Sequence, residues 1–169
     1  MNTSNISLFS YVHKNWENVS GNMTTKWSDH RIQMPVGFKF GETTEIAYVS
    51  DWNGNSVHVL KCSYDSEGKV PTFQILQTLG NSGVLNFKNP LRMCYIPTEK
   101  YLIVADWGNN RIVLFRQDKT KLGFVRSFKL RCKPVGLAVT QKGSMLITFP
   151  NSNPKVLDIY KMSPKIKDS

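Results

Sequence analysis

The sequence predicts an all-β protein assembled from repeated four-stranded units, and two observations carry that prediction. An apolar run ending in Asp-Trp and a polar turn occurs twice, as Ile46-Ala47-Tyr48-Val49-Ser50-Asp51-Trp52-Asn53-Gly54-Asn55 and as Leu102-Ile103-Val104-Ala105-Asp106-Trp107-Gly108-Asn109-Asn110-Arg111. A proline that opens an apolar run recurs at Pro35-Val36-Gly37, Pro90-Leu91-Arg92 and Pro134-Val135-Gly136, at spacings of 55 and 44 residues. Four short strands per period of that length is the rhythm of a propeller blade. The chain therefore reads as a partial β-propeller of about three four-stranded blades.

The units fall at 34–80, 81–130 and 131–162, after a leader at 1–33 and before a basic tail at 163–169. In the first unit, strands are expected at 36–40, 46–50, 57–62 and 72–79. They are separated by Gly41-Glu42, by Asn53-Gly54-Asn55 and by a turn at 65–68, all residue types that suit turns or positive φ. The second unit repeats the pattern at 91–96, 101–105, 111–116 and 124–130. The third keeps strands at 135–140, 144–148 and 155–160, but Phe149-Pro150 stands where Asp-Trp is expected and Pro154 lengthens the following turn. Asn-Gly and Gly-Asn-Asn fit hairpin turns that need left-handed residues, and the aspartate before each turn is placed to accept hydrogen bonds from turn amides. Asp51 and Asp106 are accordingly expected to be structural.

The second unit resembles the NHL repeat. Gly80-Asn81-Ser82-Gly83-Val84-Leu85-Asn86-Phe87-Lys88-Asn89-Pro90, continued by Asp106-Trp107-Gly108-Asn109-Asn110-Arg111-Ile112-Val113-Leu114-Phe115, is similar to that family's Gly-rich loop, Phe-Asn-x-Pro and Asp-x-Gly-Asn-Asn-Arg-Ile-x-x-Phe pattern. The first unit matches less fully, with Ser56 in place of the arginine, and the third departs further. The resemblance spans roughly residues 34–162. It implies an NHL-like propeller in which the aspartate and Arg111 brace neighbouring strands, and complete rings of that family resemble six blades.

Composition is globular, with 40 % hydrophobic and 20 % charged residues. The net charge of +10 is lopsided: residues 1–110 hold nine Lys/Arg against nine Asp/Glu, and residues 111–169 hold thirteen against three. Such asymmetry suits an anionic partner, nucleic acid or an acidic protein surface, and equally suits plain solubility. No stretch has the length of a membrane span and the first residues lack a secretory pattern, so a cytoplasmic address is expected. Asn2, Asn5, Asn18 and Asn22 open Asn-x-Ser/Thr triplets, read as an Asn/Ser/Thr-rich leader. Cys62, Cys94 and Cys132 are widely spaced and are expected to be reduced packing residues. His13, His30 and His58 are scattered and read as solvated or strand-face residues, so no metal and no cofactor is expected.

Two hairpin turns after Asp-Trp and the loops before each first strand should share a rim. That rim would gather Trp52, Lys88, Arg92, Trp107, Asn109, Asn110, Arg111, Arg131, Lys133 and Lys155. Tryptophan at a hairpin tip either seals the seam between blades or offers a stacking face. The reading that follows is a non-catalytic scaffold for protein–protein interaction. The alternatives are RNA binding through the basic, aromatic-bearing rim, a fragment of a propeller lyase or hydrolase, and the substrate-recruiting arm of a ubiquitin ligase. Catalysis is not expected, because no nucleophile–base–orienter set or repeated channel histidine is recognisable. Half a ring leaves blade faces to be covered: by a second copy completing a six-bladed ring, by further chain, or by a leader strand near Ile6 to Val12 acting as a cap, with Trp16 and Trp27 following it.

Overall fold

A computed structural model describes residues 5–9, 23–64, 71–80, 83–149 and 156–161, with side-chain detail beginning at Trp27. The first four-stranded sheet is β3 (Pro35–Phe40), β4 (Ile46–Asp51), β5 (Ser56–Tyr64) and β6 (Pro71–Leu79), in sequence order. The second is β7 (Pro90–Ile96), β8 (Tyr101–Asp106), β9 (Arg111–Asp118) and β10 (Lys121–Lys129), and the third has three strands, β11 (Gly136–Val139), β12 (Ser144–Phe149) and β13 (Val156–Lys161). Every neighbouring pair is antiparallel. The first strands of the three sheets face one another, β7 lying against β3 on one side and β11 on the other, so the sheets are stacked as blades about a common inner edge. Among the described residues no helix is long and apolar enough to cross a membrane.

The reason these strands stack is in their two-sided apolarity. Every residue of β4 is buried, as are the first five of β5 and all but the first of β8. Side chains alternate across a strand, so a strand apolar at consecutive positions must be covered on both faces. Tyr48, Val57 and Val59 of the first blade meet Leu102, Val104, Val113 and Phe115 of the second. Ile103, Ala105, Ile112 and Leu114, on the opposite face of the second blade, meet Met145, Ile147 and Phe149 of the third. A fully buried side chain of this kind contributes about 1.5–3 kcal/mol relative to exposure. These two cores are the main cohesion of the fold.

Polar clasps set the blade spacing. Tyr48 Oη donates to Gln117 Oε1 at 2.7 Å, and Ser50 Oγ donates to the Leu91 carbonyl at 2.6 Å. On the outer edge the Gln77 amide exchanges two bonds with the backbone of Leu122, at 2.9 and 3.3 Å. Close approach at the inner edge requires Gly37, where a Cβ would fall 2.5 Å from Ser50 Oγ and 2.6 Å from the Leu91 carbonyl oxygen.

The leader holds more strand than the sequence pattern indicates. β1 (Asn5–Phe9) pairs antiparallel with β2 (Met23–Ser28) as a separate two-stranded sheet. Trp27 at the end of β2 packs edge-on against Phe73 at 5.6 Å, and with Ile32 it joins the core of Ala47, Val49, Leu60 and Cys62 on the free side of the first blade. The turn at 65–68, residues 10–12, Trp16, Pro150, Pro154 and the tail at 163–169 lie outside the described residues. Replacing half-buried Trp27 by alanine should cost about 2 kcal/mol, read as a lower urea midpoint at unchanged slope. An unaltered midpoint would show that the leader does not support the first blade.

Candidate binding rim

The rim is built by the turns after β4 and β8 and by the linkers that enter each blade. Pairing of Asp51 with Pro35 and of Asp106 with Pro90 brings each turn beside its linker. The turns close as their residue types demand: Asn55 and Asn110 both hold φ of +50°, and Asn89 in the linker holds +52°. Trp52 N–H donates to the Met34 carbonyl and Gly108 N–H to the Lys88 carbonyl. Asn89 then ties the first turn to the next linker, its amide N–H reaching Asn55 Oδ1 at 2.8 Å and its Nδ2 reaching the Trp52 carbonyl at 3.1 Å.

The two buried aspartates organise the turns by different means. Asp106 accepts the Arg111 guanidinium at 2.6 Å, the Asn109 amide at 2.8 Å and the Lys88 backbone N–H at 2.8 Å. Asp51 accepts three backbone N–H groups, from Gln33, Met34 and Gly54. Ser56 holds the register position of Arg111, and the cationic partner is replaced by His58 two residues on, whose Nε2 lies 3.6 Å from Asp51 Oδ2. Ser56 Oγ and Thr78 Oγ1 complete the ring's contacts, each at 3.0 Å. Burial pushes the Asp51 carboxyl upward, but His58 and the three amides outweigh it and hold it below the ordinary carboxylate value. On the preceding linker the exposed Arg31 guanidinium holds partly buried Asp29 down at about 2.

The rim residues expected from sequence separate into two groups. Trp52, Trp107 and Lys133 form one continuous stack across three successive units. The indole rings lie 5.0 Å apart at 45°, and the Lys133 ammonium sits 3.8 Å from the Trp107 centroid. Arg111, Asn109 and Arg131 are tied internally: Arg111 and Asn109 also reach the Asn86 carbonyl, and Arg131 pairs with Asp158 at 2.6 Å beside the Phe149 ring. Asn110 is the left-handed cap of the second turn. Lys88 is exposed along Gly108, Arg92 is exposed at the irregularity that opens β7, and Lys155 lies outside the described residues.

Sequence reasoning missed several participants. Lys129 donates to the Asn109 carbonyl at 3.0 Å, and Asn89 bridges two blades. His58, taken from sequence as a solvated or strand-face residue, is 1 % exposed and serves as the brace of the first turn. The signal was present in the missing arginine at Ser56, which leaves Asp51 without the guanidinium partner that Asp106 has. The cysteines are free, as their spacing indicates.

No protein-family model matches the chain, and no curated protein does. Solved structures do. A candidate 6-phosphogluconolactonase of Bacteroides uniformis superposes with a TM-score of 0.64 at 10 % identity, over 78 % of this chain and 38 % of that one. A protein of unknown function from Desulfotomaculum acetoxidans gives 0.64 at 16 % identity, over 84 % and 44 %. A chain of a nidogen/laminin complex gives 0.57 at 17 % identity, over 94 % and 58 %. Stacked four-stranded antiparallel sheets and these neighbours define the class: this is a β-propeller fold, present here as a part of the ring. The chain spans between about a third and three-fifths of the structures it matches.

Asp51 contributes stability at pH above its unfolded value of about 3.9, and that contribution is lost as pH falls from there through the lower folded-state value. Asp51→Asn should lower stability by about 2–4 kcal/mol at neutral pH and flatten the acid limb of a plot of urea midpoint against pH. A variant with an unchanged acid limb would remove Asp51 from the account.

Proposed function

We propose that the chain is an NHL-like propeller segment acting as a non-catalytic interaction module for a protein ligand, through the rim that carries Trp52, Trp107 and Lys133. The observation that carries the reading is the stack itself. The facing surfaces of the two indoles are turned on each other and Lys133 sits over the Trp107 ring, so less open aromatic face is left for a nucleobase. Arg111 and Arg131 are paired with carboxylates, which reduces the charge available to phosphates. A surface of preformed, half-buried aromatic groups ringed by polar ones suits a protein partner. The similarity to a chain from a nidogen/laminin complex, itself a protein–protein assembly, supports this at the level of fold.

A catalytic reading draws on the two similar structures named as candidate 6-phosphogluconolactonases, at 10 % and 9 % identity. Asp51, His58 and Ser56 are the nearest approach to a catalytic set among the described residues, and they argue against it. All three are buried, and Ser56 and Asp51 both lie on Nε2, whereas a relay needs the hydroxyl and the carboxylate on opposite ring nitrogens.

Affinity capture with the wild-type chain and with a Trp107→Ala/Lys133→Glu variant, read by quantitative mass spectrometry, should show protein ligands lost at least ten-fold in the variant. A parallel titration with single-stranded oligouridine should give weak, steeply salt-dependent binding that Trp107→Ala does not change. Tight oligouridine binding that falls ten-fold in Trp107→Ala would replace the protein reading with the RNA one.

A further inference from the structure

Among the described residues the stack of blades ends in two uncovered faces, and register shows that both are interblade faces. At one end, Phe38 and Phe40 of β3 lie opposite Val49 and Ala47. Their equivalents in the second blade are Met93 and Tyr95, opposite Val104 and Leu102. Met93 and Tyr95 belong to the core between the first two blades, and Tyr95 is 6 % exposed. Phe38 and Phe40 remain 39 % and 38 % exposed, with Met34 ahead of them at 44 %. The outer half of this face is covered by Trp27 of β2, and the inner half, where the first strands of a preceding blade would stand, is not.

At the other end, Leu157 and Ile159 of β13 lie opposite Thr148 and Leu146. The same positions are Ile112 and Leu114 in the second blade and Val57 and Val59 in the first. Those four are at most 3 % exposed, whereas Leu157 and Ile159 are 52 % and 64 % exposed. Among the described residues, one end therefore lacks the inner strands of a preceding blade, and at the other end nothing packs on the far face of β12 and β13.

We propose that these ends are the two halves of one interface and that a second copy of the chain occupies both, so that two half rings close into one ring by twofold symmetry. The contact continues the packing already present between the blades: Leu146, Leu157 and Ile159 of one copy take the place against Phe38 and Phe40 that Tyr48, Val57 and Val59 hold against Met93 and Tyr95. Ends that satisfy each other head to tail close when the rotation returns on itself, and two copies are the smallest such ring. This chain covers 38–58 % of the propellers on which it superposes.

Strand order adds a second indication. β2 leads into β3 through 29–34 as β10 leads into β11 through 130–135, so β2 is a fourth strand and its partner β1 a third. β13 is also a third strand, and among the described residues it has no fourth. On closure, β13 of one copy takes the lane of β1 beside β2 of the other. The register that sets Leu157 where Ile6 now stands places an apolar residue opposite Trp27.

The test is solution mass by light scattering across a dilution series, for the wild type, Phe38→Glu and Ile159→Glu, with melting curves confirming that each exposed-site variant is folded and Leu157→Lys as a second variant of the third-blade face. The expected result is a wild-type species of twice the 19.3 kDa chain mass and single-mass species for each variant. An equimolar mixture of Phe38→Glu and Ile159→Glu should recover the double-mass species, because one of its two interfaces is then wild type on both sides. A wild type of single mass throughout overturns the proposal, as does a Phe38→Glu chain that still pairs, which would mean third-blade faces meeting symmetrically. A ladder of larger species overturns closure. None of these outcomes depends on the rim having a ligand, so failure here and failure of the rim reading are separable.

Discussion

Everything in this fold follows from one constraint: a blade whose strands are apolar on both faces is stable only between two other layers. β4 shows it most clearly, since Ala47 and Val49 face one way and Tyr48 the other, and all are fully buried. A sheet with a single apolar face can be solvated on its back; this one cannot. Hydrophobic cohesion therefore runs from blade to blade rather than toward a single centre, and the Tyr48–Gln117 and Gln77–Leu122 clasps fix where along that direction each blade stops. The same constraint makes the ends of the stack conspicuous, because positions buried in the middle reappear there in contact with solvent.

The rim is a by-product of that stacking. Each blade must turn tightly after its second strand, and the buried carboxylate of Asp51 or Asp106 holds the turn against the incoming linker. A tryptophan directly after that carboxylate is carried to the same place on successive blades, and blade spacing then sets the two indoles within stacking distance. Lys133 arrives from the next linker and extends the series. The site is thus a repeat feature read sideways: three residues far apart in sequence are adjacent because the units bearing them are adjacent.

Much of this was legible in the sequence, and the exceptions have physical reasons. The strands, their order and the left-handed residues at Asn55 and Asn110 follow from local patterns, which are visible within a few residues. The rim grouping followed from the repeat alignment. What sequence did not show was pairwise chemistry across blades: that Arg131 would be committed to Asp158, that Asn89 would bridge to Trp52, or that His58 would stand in for an absent arginine. Those contacts depend on interblade distances that no local pattern encodes. β2 escaped notice for a related reason, since Met-Thr-Thr-Lys-Trp-Ser lacks alternation and only its partner strand marks it. Among the described residues the third sheet has three strands, and its unit is the one in which Phe149-Pro150 stands in place of Asp-Trp.

The most direct measurement of the central claim, that these blades require a neighbour on each face, is amide hydrogen exchange of the whole chain at low and high concentration. Strands β4, β5, β8 and β9, enclosed on both faces, should be slow to exchange at both. β3 and β13, which carry the two uncovered faces, should exchange fast when dilute and gain protection together as concentration rises. Protection that is uniform along the chain and independent of concentration would contradict the account, because ends that need no neighbour would mean that the packing between blades is not what holds them.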